Sequence, residues 1–387
     1  MSPVDVPQGQ LRIVILEPWY RGSHKAWVDG FTAASRHEVA VVALAEVGWR
    51  ESYATGPPAF VDGIEDWVRR QGRPDLIIAS SPIDLAAVLG LCRRSLADTP
   101  AVIYQHESQL LYPPGPKGGT FQRGARIDLQ SLLAADAWIT GSSFHRDALL
   151  NALPLFLASQ WPGDPDRVID SLAAKHHLLP VGISQDTPKR ATEPAQKDPN
   201  LAPLILWNHR WEHDKNPSLF VHTMLRLAGQ GIAFRLALAG ASGRSGRRHR
   251  DKLVAQLSER VIHSGEADSA TYHQLLADAA IVVSTSDHEF FGVSVAEAIA
   301  AGCWPVLPHR LSYPELVPTN HHPQHLYAAG TFESHLRTAI GLVAKGETAS
   351  PDLAEHAAQF EWPTLVHYYD RLFAAYAAGD FRPGATE

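Results

Sequence analysis

Cysteine is almost missing from this chain. Cys92 and Cys303 are the only two in 387 residues, too few and too far apart for a disulfide scaffold or a cysteine-based zinc site. Long apolar runs are missing too: near the start they stop at a few residues, as in Ile13 to Leu16. Neither a signal peptide nor a membrane span is expected, so the expected setting is a reduced, cytoplasmic one. Positive charge is short as well. Lys and Arg number 34 against 41 Asp and Glu, a net charge of -7, and both halves are acidic. That balance argues against broad electrostatic binding of nucleic acid. One local exception holds Arg244, Arg247, Arg248, Arg250 and Lys252 against the single Asp251. It reads either as a solvated loop and helix start or as a patch facing phosphate.

What is present is a chain built to bury a core. The hydrophobic fraction is 45% with ten Trp, which excludes a disordered protein, and the length suits two domains. Short apolar runs (Leu11–Leu16, Val39–Leu44, Leu76–Ala79, Ala101–Tyr104, Ala137–Gly141, Leu178–Val181) read as buried strands. Helix-like spacing lies between them at Lys25–Ser35, Gly63–Gln71, Leu85–Arg94 and Phe144–Ala152. Residues 184–203, rich in Pro, Lys, Gln and Asp, read as a linker. The alternation then restarts, with strands at Leu204–Trp207, Phe234–Ala239, Val261–His263, Ala280–Ser284 and Trp304–Leu307. Helices are expected from Pro217, near Lys252–Arg260, near Ala270–Ala277 and at Val293–Ala301, and a last one at Pro363–Ala378. Apolar strands alternating with helices mean parallel sheets covered on both faces. The expected fold is α/β: two doubly wound Rossmann-like domains facing a cleft. The divisions are 1–183, the linker 184–203, 204–362, and a C-terminal helix in 363–387 expected to pack back on the first domain.

In such sheets ligands sit beyond the carboxyl ends of the strands. After the first strand comes EPWYRGSHK, where Gly22 permits close backbone approach and Ser23 is the expected helix N-cap. After the fourth comes Tyr104-Gln105-His106-Glu107. After Trp207 come Arg210 and Lys215, five apart and just ahead of a helix opened by Pro217. Two cations and free helical N–H groups suit one anion, although Glu212 and Asp214 could equally pair with them. His209 and His213 lie four apart, but no third metal ligand accompanies them. The richest stretch is STSDHEFFGVSVAEAIAAGCWPVLP, from Ser284. There Glu289 precedes a helix that starts at Gly292–Val293, and Glu297 follows inside it. Two carboxylates eight apart around a helix N-terminus can flank one ligand whose diphosphate faces that terminus.

EFFGVSVAE resembles the Glu-x7-Glu motif of retaining GT-B glycosyltransferases of the large family called four, and the Arg210…Lys215 spacing resembles that family's cation pair. More narrowly, EPWYRGSHK, YQHESQLLYP, LWNHRWEHDKNP and SDHEFFGVSVAEAIAAGCWPVLPHRLSYPEL are similar to the tRNA-queuosine α-mannosyltransferase branch. The resemblance spans about residues 10 to 378. It departs from the wider family at two places: Arg21-Gly22 stands for a double glycine, and Phe290 follows the first motif glutamate.

The resemblance implies transfer of mannose from GDP-mannose to queuosine in tRNA. The alternatives are the same donor chemistry on a small-molecule, lipid or glycan acceptor, a sugar-nucleotide epimerase, and a non-catalytic nucleotide- or RNA-binding protein. By resemblance Arg210 and Lys215 bind the diphosphate, Glu297 the ribose hydroxyls and Glu289 the donor sugar. The backbone at Phe291, Gly292 and Val293 meets sugar and phosphate. His106 stands near the reacting sugar, and Gly22, Ser23 and His24 form the first-strand donor loop. Arg244, Arg247, Arg248 and Arg250 are the candidate RNA contacts. No metal or other cofactor is expected, since the nearest approach to an Asp-x-Asp pair, Asp164-Pro165-Asp166, is not at an expected strand end. The oligomeric state stays open.

Overall fold

Each buried strand needs a helix on either face, and the chain supplies one between nearly every pair of strands. In the computed structural model, residues 9–44, 48–113, 122–187 and 201–381 are described, and they form two units. Unit 1 comprises residues 1–182 with the C-terminal segment from Trp362, and unit 2 runs from Ile183 to Glu361. Most of the expected linker, residues 188–200, lies outside the described residues.

Unit 1 holds β1 (Arg12–Glu17), β2 (Glu38–Ala43), β3 (Leu76–Ser80), β4 (Ala101–Gln105), β5 (Ala137–Thr140) and β6 (His176–Leu178). All are parallel, in the order β2-β1-β3-β4-β5-β6. The order reverses between β1 and β3, the switch point beside which sheets of this kind bind ligands. Val14, Leu16, Ile77, Ile103 and Trp138 close the core with essentially no exposed surface. The terminal helix Trp362–Ala377 belongs to this unit. Its Tyr369 hydroxyl accepts from the Trp27 indole at 3.2 Å and donates to the Pro180 carbonyl at 2.8 Å. Trp362 sits where a Cβ on Gly30 or Gly182 would stand, so both positions exclude any larger residue.

Unit 2 holds β7 (Leu204–Trp207), β8 (Arg235–Ala239), β9 (Val261–Gly265), β10 (Ile281–Val283), β11 (Trp304–Pro308) and β12 (Leu326–Tyr327). Their parallel order is β12-β11-β10-β7-β8-β9. Here the reversal falls between β7 and β10, the strands that lead into the two richest polar loops.

Four expectations need correction. The helix expected at Gly63–Gln71 begins at Trp49 and runs through Pro57 and Pro58. Burial of Tyr53, Phe60 and Ile64 along one face outweighs the cost of two missing helical hydrogen bonds. The helix expected near Lys252–Arg260 is Arg244–Gln256. Its first turn packs closely on the loop after β7 through Gly246, where a Cβ would fall 1.6 Å from the Trp211 carbonyl oxygen. The strand expected at Leu178–Val181 is His176–Leu178, in register with Trp138 to Thr140. Finally, Ser23 is not an N-cap: the chain turns through Gly22 at φ +52°, and Arg21 in extended backbone takes the cap place. No helix among the described residues is long and apolar enough to cross a membrane.

Candidate active site

In unit 2 the loops after β7 and β10 are bound to each other by backbone and side chain. Asp287 and His288 donate their N–H groups to the Asp214 carbonyl at 2.8 and 3.2 Å. The Thr285 hydroxyl lies within hydrogen-bond distance of the carbonyls of Lys215 and Asn216, to which it donates. Asn216, left-handed at φ +49°, caps the helix Pro217–Gly229 through Leu219. This stitching turns the Lys215 side chain inward. Its ammonium donates to the His288 carbonyl at 2.8 Å and to Glu289 Oε2 at 3.1 Å, and lies 3.4 Å from Asp214 Oδ2. Arg210, on the same loop, is exposed.

The electrostatics follow from this packing. Burial alone would raise the Glu289 carboxyl, but the Lys215 ammonium, with His209 and His288, outweighs it and holds the group at about 2. Burial and the same ammonium bring His209 and His288 down to about 4, so both rings are neutral at pH 7.

The chain next turns through Gly292 at φ +95°, where a Cβ would press on Leu316 and Tyr313 at 3.3 Å. That turn opens the helix Val293–Ala300, where the Gly292 carbonyl accepts from the Val295 and Ala296 N–H groups and no side chain caps the helix start. Phe291 is buried edge-on against Phe360, and its carbonyl accepts from Ser312, so its backbone rather than its ring is set at the turn. Glu297 lies one turn further on. Burial pushes its carboxyl up to about 7, opposed by a hydrogen bond from the Tyr272 hydroxyl to Oε2 at 2.9 Å. Tyr272 in turn accepts from Asn208 Nδ2 at 3.2 Å, and the same amide donates to the Ser294 carbonyl at 2.7 Å.

Unit 1 gathers polar groups at its own strand ends. Glu17, the last residue of β1, is wholly buried. It accepts from the Trp19 N–H at 2.7 Å and faces His24 Nδ1 at 3.2 and 3.4 Å. His24 and His106 stack tilted with centroids 4.3 Å apart, and Trp27 and Tyr104 enclose His106. The His106 N–H and that of Glu107 both donate to Ser81, beyond β3. The His106 Nε2 is buried with no partner among the described residues, and burial, then His24 and His145, hold the ring well below the ordinary imidazole range. Glu17, His24 and His106 offer ligand atoms within 4.8 Å of one another, the one such group of three among the described residues. The Glu17 carboxylate already accepts from the Trp19 N–H and faces His24, while His106 joins the group through its ring contact with His24. Arg21 lies over the Trp19 ring at 4.0 Å.

Sequence reasoning thus missed Glu17, Tyr272 and Asn208. Glu17 is signalled by its place at the end of β1. Tyr272 lies on the helix Ser269–Asp278, outside every motif, and only the fold brings it to Glu297.

The basic stretch lies on the helix Arg244–Gln256, packed through Gly246 on the loop that carries Arg210. Arg247 and Arg248 are exposed. Arg250 is half-buried and donates to the Ser242 hydroxyl at 2.9 Å, so it also holds the β8 loop. The side chain of Arg244 lies outside the described residues.

Two parallel α/β units, one with a cation–carboxylate pair and a helix N-terminus at its switch point, define a GT-B glycosyltransferase. The solved structures agree on the fold. Sucrose-phosphate synthase from Thermosynechococcus elongatus matches with a TM-score of 0.72 at 16% identity, over 95% of this chain and 100% of that one. Anabaena Alr3699/HepE, solved in complex with UDP, matches at 0.66 and 17%, over 94% and 100%. Residues 12–183 match the tRNA-queuosine alpha-mannosyltransferase N-terminal family, and residues 189–340 match glycosyl transferases group 1. A Drosophila melanogaster tRNA-queuosine alpha-mannosyltransferase is 31% identical over 313 residues, 79% of this chain and 81% of that protein. The chain belongs to the tRNA-queuosine alpha-mannosyltransferase family.

Proposed function

We propose that this enzyme transfers mannose from GDP-mannose to queuosine in tRNA, with retention of anomeric configuration, without a metal, and in the cytoplasm. The observation that carries the donor chemistry is the Lys215–Glu289 contact at the β7/β10 switch point, beside the start of the helix Val293–Ala300. Breaking the bond from anomeric carbon to phosphate leaves negative charge on the diphosphate and positive charge on the sugar. Arg210, Lys215 and the N–H groups at Gly292 and Val293 stabilise the first. Glu289, held ionised, accepts from the donor sugar hydroxyls and orients them, while the Phe291 backbone meets the same sugar. Glu297 binds the ribose hydroxyls. From unit 1, His106 is assigned to the reacting sugar, its neutral ring offering a hydrogen bond without adding charge. Gly22, Ser23 and His24 are assigned to the donor loop. The leaving phosphate oxygen takes the proton of the attacking acceptor hydroxyl as the new bond forms on the same face of the sugar.

The acceptor assignment rests on the matched relative and the N-terminal family. With a net charge of -7, tRNA needs a local basic surface. The exposed Arg247 and Arg248 supply it, with Arg244 and Arg250 on the same helix. The deciding experiment incubates the enzyme with GDP-mannose and queuosine-containing tRNA, then weighs the released nucleoside. The expected result is a gain of one hexose on queuosine. Donor turnover with unmodified queuosine, and a hexose gained instead by a small molecule, lipid or glycan, refutes the tRNA reading and leaves the donor reading standing.

A further inference from the structure

We propose that Tyr272 and Asn208 are positioning residues for the ribose site, anchoring one oxygen of Glu297 so that the other is presented to a vicinal diol. This deepens the assignment of Glu297 to the ribose and rests on it.

The direction of every hydrogen bond in the chain of three residues is fixed by one acceptor. The Ser294 carbonyl can only accept, so the Asn208 atom 2.7 Å from it is the amide nitrogen. The second N–H of that amide then points to the Tyr272 oxygen at 3.2 Å. Tyr272, already accepting there, directs its own hydrogen to Glu297 Oε2 at 2.9 Å. Glu297 Oε2 is therefore an acceptor held in place, and the carboxylate rotates only at the cost of this bond. Its remaining lone pairs, chiefly on Oε1, suit two adjacent hydroxyls of one ring. Asn208 couples this arrangement to the diphosphate side: it follows β7, two residues before Arg210, and reaches Ser294 in the first turn of the helix Val293–Ala300. The loop with the cations, the helix N-terminus and the diol-binding carboxylate are thus set relative to one another by a single amide. Its Oδ1 is buried with no partner among the described residues, an acceptor suited to a ligand hydroxyl.

A merely structural Tyr272 would act through its ring, which packs beside Leu275, Leu276 and Cys303. Tyr272→Phe keeps the ring and removes only the hydroxyl, so it isolates the proposed role. The experiment measures binding of GDP, 2′-deoxy-GDP and 3′-deoxy-GDP to wild type, Tyr272→Phe, Asn208→Ala and Glu297→Ala by calorimetry. Thermal unfolding of each variant verifies the fold. A charge-assisted hydrogen bond is worth roughly tenfold or more in affinity. Wild type is expected to prefer GDP over at least one deoxy form by about tenfold, and Glu297→Ala to lose that preference. Tyr272→Phe and Asn208→Ala are expected to reduce it to about threefold or less, with donor KM raised and kcat at saturating donor near wild type. If Glu297→Ala loses the preference while Tyr272→Phe keeps it in full, the positioning role is wrong and the ribose assignment survives. If Glu297→Ala also keeps it, the ribose assignment fails and takes this proposal with it.

Discussion

Lys215→Met separates what this side chain does for the fold from what it does for the leaving group. In the folded protein the Lys215 ammonium is largely buried against Glu289 and Asp214. It is the main group that brings Glu289 from 4.5 down to about 2 against the opposing pull of burial. That gap corresponds to about 3 kcal/mol, within the roughly 3–5 kcal/mol cost of removing one partner of a buried ion pair. Methionine keeps the stem's apolar packing and removes the charge. For a unit of this size the destabilisation amounts to a fall in Tm of about 6–12 °C.

The sign with pH is fixed. A carboxyl whose pKa is depressed by folding contributes stability above its unfolded value of 4.5, and that contribution fades as pH falls toward about 2. The deficit of Lys215→Met is therefore largest at pH 6–8 and shrinks toward pH 3. The assay is urea unfolding of wild type, Lys215→Met, Glu289→Gln and the double variant at pH 7 and pH 3. The expected coupling is about 2–3 kcal/mol at pH 7. A coupling under about 1 kcal/mol, or one equal at both pH values, refutes the argument. Arg210→Ala is the contrasting control. Its side chain is exposed, so stability is expected to hold while kcat/KM falls by about 10²–10³-fold.

Glu297, raised to about 7 by burial, must be ionised to accept from ribose hydroxyls, so donor affinity is expected to weaken as pH drops from 8 to 6; a flat profile counts against the assignment. Because folding raises this carboxyl above its unfolded value, its stabilising contribution belongs to low pH, and Glu297→Gln is expected to raise Tm more at pH 8 than at pH 5. Turnover is expected to persist in excess EDTA, and an activity abolished by chelation and restored by Mn²⁺ or Mg²⁺ would show that a metal is required. Neutralising Arg247 and Arg248 together is expected to raise KM for tRNA and flatten its salt dependence, by about 0.7–0.9 in log–log slope for each phosphate they neutralise, while GDP binding stays unchanged. An unaltered tRNA KM at several salt concentrations removes this helix from the acceptor surface.

The inner strands were legible because a parallel sheet buries both their faces, so LRIVIL and LILW read as continuous apolar runs. VAVVAL, expected to be buried, is an edge strand that is only half-buried, although its apolar run still marks it as a strand. The motif around Glu289 and Glu297 was legible because strand, turn and helix are local. Features set by tertiary packing were not. Pro57 and Pro58 mark a break by local rules, yet Tyr53, Phe60 and Ile64 carry the helix through them. Gly246 suggests a loop until the Trp211 carbonyl is seen against it. Tyr272 and Glu297 are 25 residues apart, and Asn208 and Ser294 are 86 apart, so no spacing rule connects them. Lys215 was legible as a cation but not as a buried one, and its double use follows only from the loop after β10 folding over it.

The two motif glutamates show why spacing alone under-reads such a site. They lie eight residues apart on one segment, both among apolar neighbours, and burial pushes both upward. Lys215 reverses the direction at Glu289, which stays ionised throughout the physiological range. At Glu297 the opposing group is a neutral hydroxyl, so burial prevails and the carboxyl titrates near pH 7. Environments that drive paired carboxylates apart assign their roles. A permanently charged Glu289, beside the cation of the leaving-group site, can hold a sugar that develops positive charge. Glu297, ionised only when desolvation is offset, gains most from hydroxyls that donate to it. The nucleotide ribose is the part of the donor that brings them, and its binding is expected to lower this carboxyl below about 7. Potentiometric or calorimetric measurement of proton release on GDP binding at pH 7 checks the step: release is expected to be larger for wild type than for Glu297→Gln, where only the nucleotide phosphate still gives up a proton.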